Sequence, residues 1–144
     1  MTWEVDTIFT GFVNYANDVA IIDDTTIWVV GEFELDDPED TLTNFEGRFN
    51  LIKYDGKTWT LDRIMEPGWS SIARAEAIFA FSKNDVWVGN YGSPMYWNGD
   101  EWQGRAQGFG WESVGGNIHT IWGSGPDDVF FGSVDGQINH WDGT

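Results

Sequence analysis

Three segments of the sequence lie naturally under one another: VAIIDDTTIWVVGEF at 19–33, IFAFSKNDVWVGNY at 78–91 and IWGSGPDDVFFGSV at 121–134. Each opens on an aliphatic residue, crosses a polar turn and meets a second aliphatic residue eight positions on, as Val19 to Ile27, Ile78 to Val86 and Ile121 to Val129. An aromatic follows at once (Trp28, Trp87, Phe130), and then a glycine (Gly31, Gly89, Gly132). A recurring unit of this kind cannot bury its apolar face alone, so the chain must stack its copies against one another. Trp28, Trp87 and Phe130 are the expected core.

The apolar and turn pattern of each segment predicts two strands, A and B, joined by a hairpin. A third strand, C, ends at Tyr54, Trp97 or Trp141 and is followed by Asp55-Gly56, Asn98-Gly99 or Asp142-Gly143. Asp-Gly and Asn-Gly favour the positive backbone angles of tight hairpins, so a fourth strand, D, returns beside C. It carries Trp59 and Trp102, each five positions after the strand C aromatic and packed between strands or under the turn. In the third copy the same phrase continues at the other end of the sequence. Reading from Thr144 to Thr2 places Trp3 five positions after Trp141.

Four-stranded antiparallel units of roughly 40 to 45 residues have the size of β-propeller blades. The expected fold is all-β: one domain, 1–144, with three four-stranded blades at about 13–64, 72–107 and 115–144. Propellers have about four to eight blades, so three are too few to close a ring. Two copies joined head to tail give six. Strand 2–9 of each chain, with Trp3 and Val5, then completes the last blade of its partner beside Trp141, Asp142 and Gly143. Three copies would give nine blades, outside the usual range. A half excised or designed from a longer propeller is the alternative.

The phrases IWGSGPDDVFFGSVDGQINHWDGT and IFAFSKNDVWVGNYGSPMYWNGDEW resemble the repeat of many bacterial propeller proteins, in which a W-G-S-x-x-D-D-V-W hairpin precedes a G-x-I-x-H-W-D-G-x-x-W strand pair. The first copy departs from that pattern through an insertion and through Tyr54 in place of Trp. The resemblance implies the fold and is nearly silent about function. A looser resemblance links the W-D-G-x-x-W phrases to small propeller lectins of bacteria and fungi, which also build rings from short chains. The Arg and Glu pair with which those lectins hold sugar has no counterpart in the repeats.

The formal net charge is −17, with seven Lys and Arg scattered along the chain. Such a surface repels a phosphate backbone, so nucleic acid is not an expected partner. The charge serves solubility or adaptation to salt, or attracts a cation or a basic partner. With no cysteine, neither a disulfide frame nor a thiolate metal site can form. No apolar run approaches the roughly 18 residues of a membrane helix, and the N-terminus lacks signal-peptide features. A soluble protein of undetermined location, without membrane partner or cofactor, is expected.

Strand direction alternates, which puts the B-to-C and D-to-A connections at one end of the ring, here the upper end, where the family resemblance places ligands. An aromatic recurs nine or ten positions after each strand D tryptophan: Phe12, Trp69 and Trp111. Two chains would form a belt of these rings, able to stack on a carbohydrate or clasp a peptide, with Arg74 and Arg105 as hydrogen-bonding candidates beside Arg63, Glu66 and Glu112. Recurrent aromatics of this kind also serve as wedges between blades. The longer first copy carries ELDDPEDTLTNFEGRF between strands B and C, with Glu32 just before it. This acidic stretch lacks the spacing of a calcium loop and reads as solvated; the alternative is a lid over the ring, tied down by Phe45 and Phe49.

His119 and His140 lie on separate strands with no second ligand at metal spacing, and Asp127-Asp128 occupies a hairpin turn. No nucleophile elbow, phosphate loop or zinc signature occurs. Three functions remain, in order: a self-assembling scaffold and binding module without catalysis, with a glycan-binding lectin as its alternative; a purely structural half-propeller; and an enzyme using acidic groups at the channel mouth.

Overall fold

The computed structural model describes residues 7–8, 11–35, 47–66, 68, 72–104 and 116–143. Sheet 1 contains β1 (Gly11–Asp23), β2 (Thr26–Leu35), β3 (Arg48–Tyr54) and β4 (Trp59–Asp62). Sheet 2 contains β5 (Ala75–Ser82), β6 (Asp85–Asn90), β7 (Ser93–Trp97) and β8 (Trp102–Gln103). Among the described residues sheet 3 has three strands, β9 (Ile118–Gly125), β10 (Asp128–Ser133) and β11 (Ile138–Trp141). All neighbours pair antiparallel in chain order.

The repeat alignment reappears as strand register. Ile21 pairs with Ile27, Ala80 with Val86 and Gly123 with Val129, while Ile27, Val86 and Val129 face Tyr54, Trp97 and Trp141 on the next strand. Tyr54 then pairs with Trp59, and Trp97 with Trp102. The turn after each strand C uses a left-handed glycine, with φ of 89° at Gly56, 101° at Gly99 and 86° at Gly143, a region that side chains with a Cβ avoid. Asp55 Oδ1 accepts the Lys57 and Thr58 N–H groups, and Asn98 Oδ1 accepts those of Asp100 and Glu101.

The sheets stack face to face, with β1 against β5 and β5 against β9. At this inner edge Asn17 Nδ2 donates to the Ala75 carbonyl at 2.8 Å, and the Ile78 N–H donates to Asp18 Oδ2 at 3.0 Å. The first seam buries Trp28, Val30 and Leu51 of sheet 1 against Ile78, Val86, Val88 and Met95 of sheet 2, with Ile64 between them. The second buries Ala77 and Trp87 against Ile118, Ile121, Val129 and Phe131. Gly89 allows the close approach there, because a Cβ on it would stand 2.6 Å from Ile118 Cγ2.

Both seams share the contact of a strand B tryptophan with the strand C tryptophan of the next sheet, and each adds a second ring, from strand D in the first and strand B in the second. Trp28 meets Trp97 and Trp102 with ring centroids 6.3 and 6.2 Å apart, and Trp87 meets Phe131 and Trp141 at 5.3 and 5.9 Å. The expectation of a core position fails for Phe130, which is 37% exposed. Its strand position is equivalent to Trp28 and Trp87, but among the described residues no further sheet packs on its face. The acidic stretch also differs from expectation: Glu32 and Glu34 belong to β2, where they pair with Tyr15 and Val13 of β1, and Glu34 also with Arg48 of β3. Residues 36–46, including Phe45, lie outside the described residues, as do Trp3 and Val5.

Trp87 is 1% exposed, and its truncation leaves a cavity that the stacked sheets cannot collapse. Trp87→Ala is expected to lower unfolding stability by about 3–5 kcal/mol. Tyr91→Ala, at a 68% exposed position, should shift it by no more than about 0.5 kcal/mol. Urea titrations read by far-UV circular dichroism compare the two.

Candidate functional site

At the upper end the chain is held by side chains that reach its connections. Asn50, 1% exposed, donates to the Ile64 and Ala73 carbonyls at 2.9 Å each and accepts the Ile64 N–H at 2.7 Å. This ties both ends of the connection between β4 and β5 to β3. The Arg63 guanidinium lies 4.1 Å from the Phe49 ring centre, and its Nε donates to the Arg48 carbonyl at 2.8 Å. Phe49 thus carries an arginine as well as anchoring the chain. Arg48 in turn pairs with Glu34 at 3.4 Å.

Arg74, a predicted ligand-binding residue, pairs with Glu76 at 2.7 Å. The Glu76 side chain is 4% exposed, and its other oxygen faces His119 Nδ1 at 3.9 Å. The hydrogen bond to Glu76 holds the Arg74 pKa above its ordinary value, with Glu32 and Tyr91 adding to the effect. Asn17, Glu76 and His119 stand at one repeat position, two residues before Val19, Ile78 and Ile121. They therefore form one polar level on the inner strands. Trp69, Trp111 and Arg105 lie outside the described residues, as does the Phe12 side chain.

On the outer face of sheet 3, His140 Nε2 sits 2.7 Å from Asp128 Oδ1, and Ser124 Oγ donates to the other carboxylate oxygen. The Ser124 hydroxyl first, and His140 second, hold the Asp128 pKa below the ordinary carboxylate range. The His140 ring stacks on Phe130 at 4.1 Å and 9°. Neither histidine pairing followed from separation along the chain. Repeat alignment could have signalled this one, since Asp128 and His140 align with Asp85 and Tyr96. Trp122 and Ile138 extend the same face and are 59% and 75% exposed.

On the face of sheet 1 turned away from sheet 2, Val19 and Ile21 are 52% and 74% exposed, whereas Phe33 and Ile52 are 3% exposed. Beside them is a cavity of about 270 Å³ lined by Ile8, Asn14, Ala16, Val29, Phe33 and Ile52. Among the described residues no cluster of three His, Asp or Glu side chains could hold a metal ion, and no helix is long and apolar enough to cross a membrane.

No family model and no curated protein matches the sequence. Among solved structures, YCF48 bound to D1 peptide matches with a TM-score of 0.59 and 18% identity, over 88% of this chain and 37% of that one. The fold is propeller-like. The chain spans little more than a third of the matched structure's chain, and its three sheets are blades, with β1, β5 and β9 as their inner strands.

On the sheet 2 face turned toward sheet 3 lies Asp85, whose Oδ1 is buried without a hydrogen-bond partner among the described residues. Burial pushes its pKa up, the Tyr96 hydroxyl pulls it back, and the nearby Asp127 adds to the rise. A carboxyl whose folded-state pKa is raised binds its proton more tightly in the native state, so the native state loses stability as pH rises through the interval between the two values. Asp85→Asn keeps an acceptor for Tyr96 and removes that loss. The variant should melt higher than the parent at pH 7, with the gap closing as pH falls through the carboxylate range. Thermal melts across that range test this, and a constant or reversed gap would exclude ionised Asp85 as the source.

Proposed function

We propose that this chain is a non-catalytic binding scaffold that closes into a six-bladed ring with a second copy and takes an extended peptide at the upper end. The observation that carries the reading is the pair of open blade faces at opposite ends of the stack. They bear apolar residues at the repeat positions that the two internal seams bury. Segment 2–9, with Trp3 at the spacing of Trp59 and Trp102, supplies the outer strand beside β11 of the partner copy, next to Trp141, Asp142 and Gly143. Six blades fall within the range of about four to eight that closes a ring.

The peptide reading is supported by the similarity to YCF48, a protein solved with a peptide bound. Arg48 and Tyr91 offer exposed polar and aromatic surface at the upper end. The net charge of −17 favours a basic peptide, because long-range attraction raises the encounter rate and discriminates against acidic partners. Absence of catalysis accords with where the histidines lie: His140 is on an open sheet face, and His119 borders a carboxylate already bound by Arg74.

Panning a random peptide library against the immobilised protein tests the function. Enrichment of Lys- and Arg-bearing sequences is expected, with binding that weakens as salt is added. Saturable binding confined to a glycan panel, or turnover of a hydrolase substrate, would contradict it.

A further inference from the structure

The internal seams show what covers each open face. At the first seam Ala20, Trp28 and Leu51 of sheet 1 point toward sheet 2. Their repeat equivalents in sheet 2 are Phe79, Trp87 and Pro94, turned toward sheet 3, and in sheet 3 they are Trp122, Phe130 and Ile138. Leu51 is 0% exposed and Trp87 1%, whereas Trp122, Phe130 and Ile138 are 59%, 37% and 75% exposed.

The receiving side shows the same contrast. Ile78 of sheet 2 and Ile121 of sheet 3 are 5% and 7% exposed, but their equivalent Val19 is 52% exposed. Ile64, 0% exposed within the first seam, stands five positions after Trp59, as Ile8 stands five after Trp3, and Ile8 is 39% exposed. The cavity walls Ala16, Val29 and Ile52 are the equivalents of Ala75, Val88 and Met95, which receive Val30 and Leu51 at the first seam; Ala16 is exposed and Val29 half-buried, while Ile52, at 3%, forms a buried floor. At the corner where Trp28 meets Trp97 and Trp102, sheet 1 offers the paired rings of Tyr54 and Trp59, 4.8 Å apart.

The chain therefore carries both halves of one seam, a set of knobs on sheet 3 and the matching hole on sheet 1. Two different patches of one molecule that fit each other make a head-to-tail contact, which closes only if the rotation completes a ring. We infer that the occupant of both faces is a second copy of this chain: Ile138 of one copy fills the cavity beside Ile8, Val29 and Ile52 of the other, and Phe130 packs on Tyr54 and Trp59. This rests on the ring reading and adds the residues that join the copies. The Asp128–His140 pair, stacked on Phe130, then lies within the seam. It takes the place that Lys53 occupies over Trp28 and Trp97 at the first seam, 4.6 and 5.5 Å from the ring centres.

Two single variants and their mixture test the inference. Ile138→Asp spoils the knob and Ile21→Asp the rim of the hole. Both sites are about three-quarters exposed in the chain, 75% and 74%, so each variant should fold with an unchanged circular dichroism spectrum. Each alone is expected to be monomeric by size exclusion with light scattering, with a dimer dissociation constant raised roughly a hundredfold or more, because closure would bury unpaired charges. Mixed, they should recover a one-to-one pair, since the intact knob of one meets the intact hole of the other. If Ile138→Asp stays dimeric like the parent, the seam assignment falls while the ring reading stands. If Ile21→Asp alone stays dimeric, the contact joins sheet 3 to sheet 3 and the head-to-tail seam is wrong. A monomeric parent would overturn both.

Discussion

The insertion of a strand B aromatic into the aromatic corner of the next sheet is the contact on which the rest of this molecule depends. Trp28 enters the corner formed by Trp97 and Trp102, and Trp87 enters that formed by Phe131 and Trp141. Each insertion buries a large apolar surface and uses the tilted geometry that aromatic pairs prefer. It also fixes how far one sheet is turned from the next, because the rings and the close approach at Gly89 admit little sliding. Stacked antiparallel sheets with such seams bury the middle sheet on both faces and leave Val19 and Ile21 of sheet 1 and Trp122 and Ile138 of sheet 3 exposed.

Polar groups hold what the seams leave open. Asn50 satisfies three backbone groups around the connection between β4 and β5, so an apolar replacement would strand buried donors and acceptors there. Arg74 and Glu76 are a pair of which only the carboxylate is deeply buried, the arginine side chain being 38% exposed. The exposed Asp55 and Asp23 carboxylates are held below their ordinary pKa chiefly by turn N–H groups, of Thr58 and Lys57 for Asp55 and of Thr25 for Asp23. Both carboxylates therefore stay ionised to lower pH than ordinary ones.

The repeat spacing made the strand pairing legible, since the equivalent residues Ile27 and Val86 face the equivalent Ile21 and Ala80, and Tyr54 faces Trp59. The Asp-Gly and Asn-Gly pairs likewise became left-handed turns. Burial was legible only where the chain supplies a neighbour. Periodicity marks Phe130 as facing a sheet but carries no information on whether that sheet is present. The Glu76–His119 approach joins adjacent sheets, and Asn50 reads as an unremarkable polar residue in an apolar strand. Both depend on which connections pass overhead. Strand β2 ran into the acidic stretch because its pairing through Phe33 and Phe49 outweighs the poor strand propensity of Glu32 and Glu34.

Two copies completing one ring is the central claim, and native mass spectrometry of the unmodified protein over a range of concentration and salt is its most direct test. A dominant species at twice the 16.3 kDa chain mass, strengthened as salt screens repulsion between two acidic chains, is the predicted result. A folded monomer at every concentration and salt strength would contradict the account.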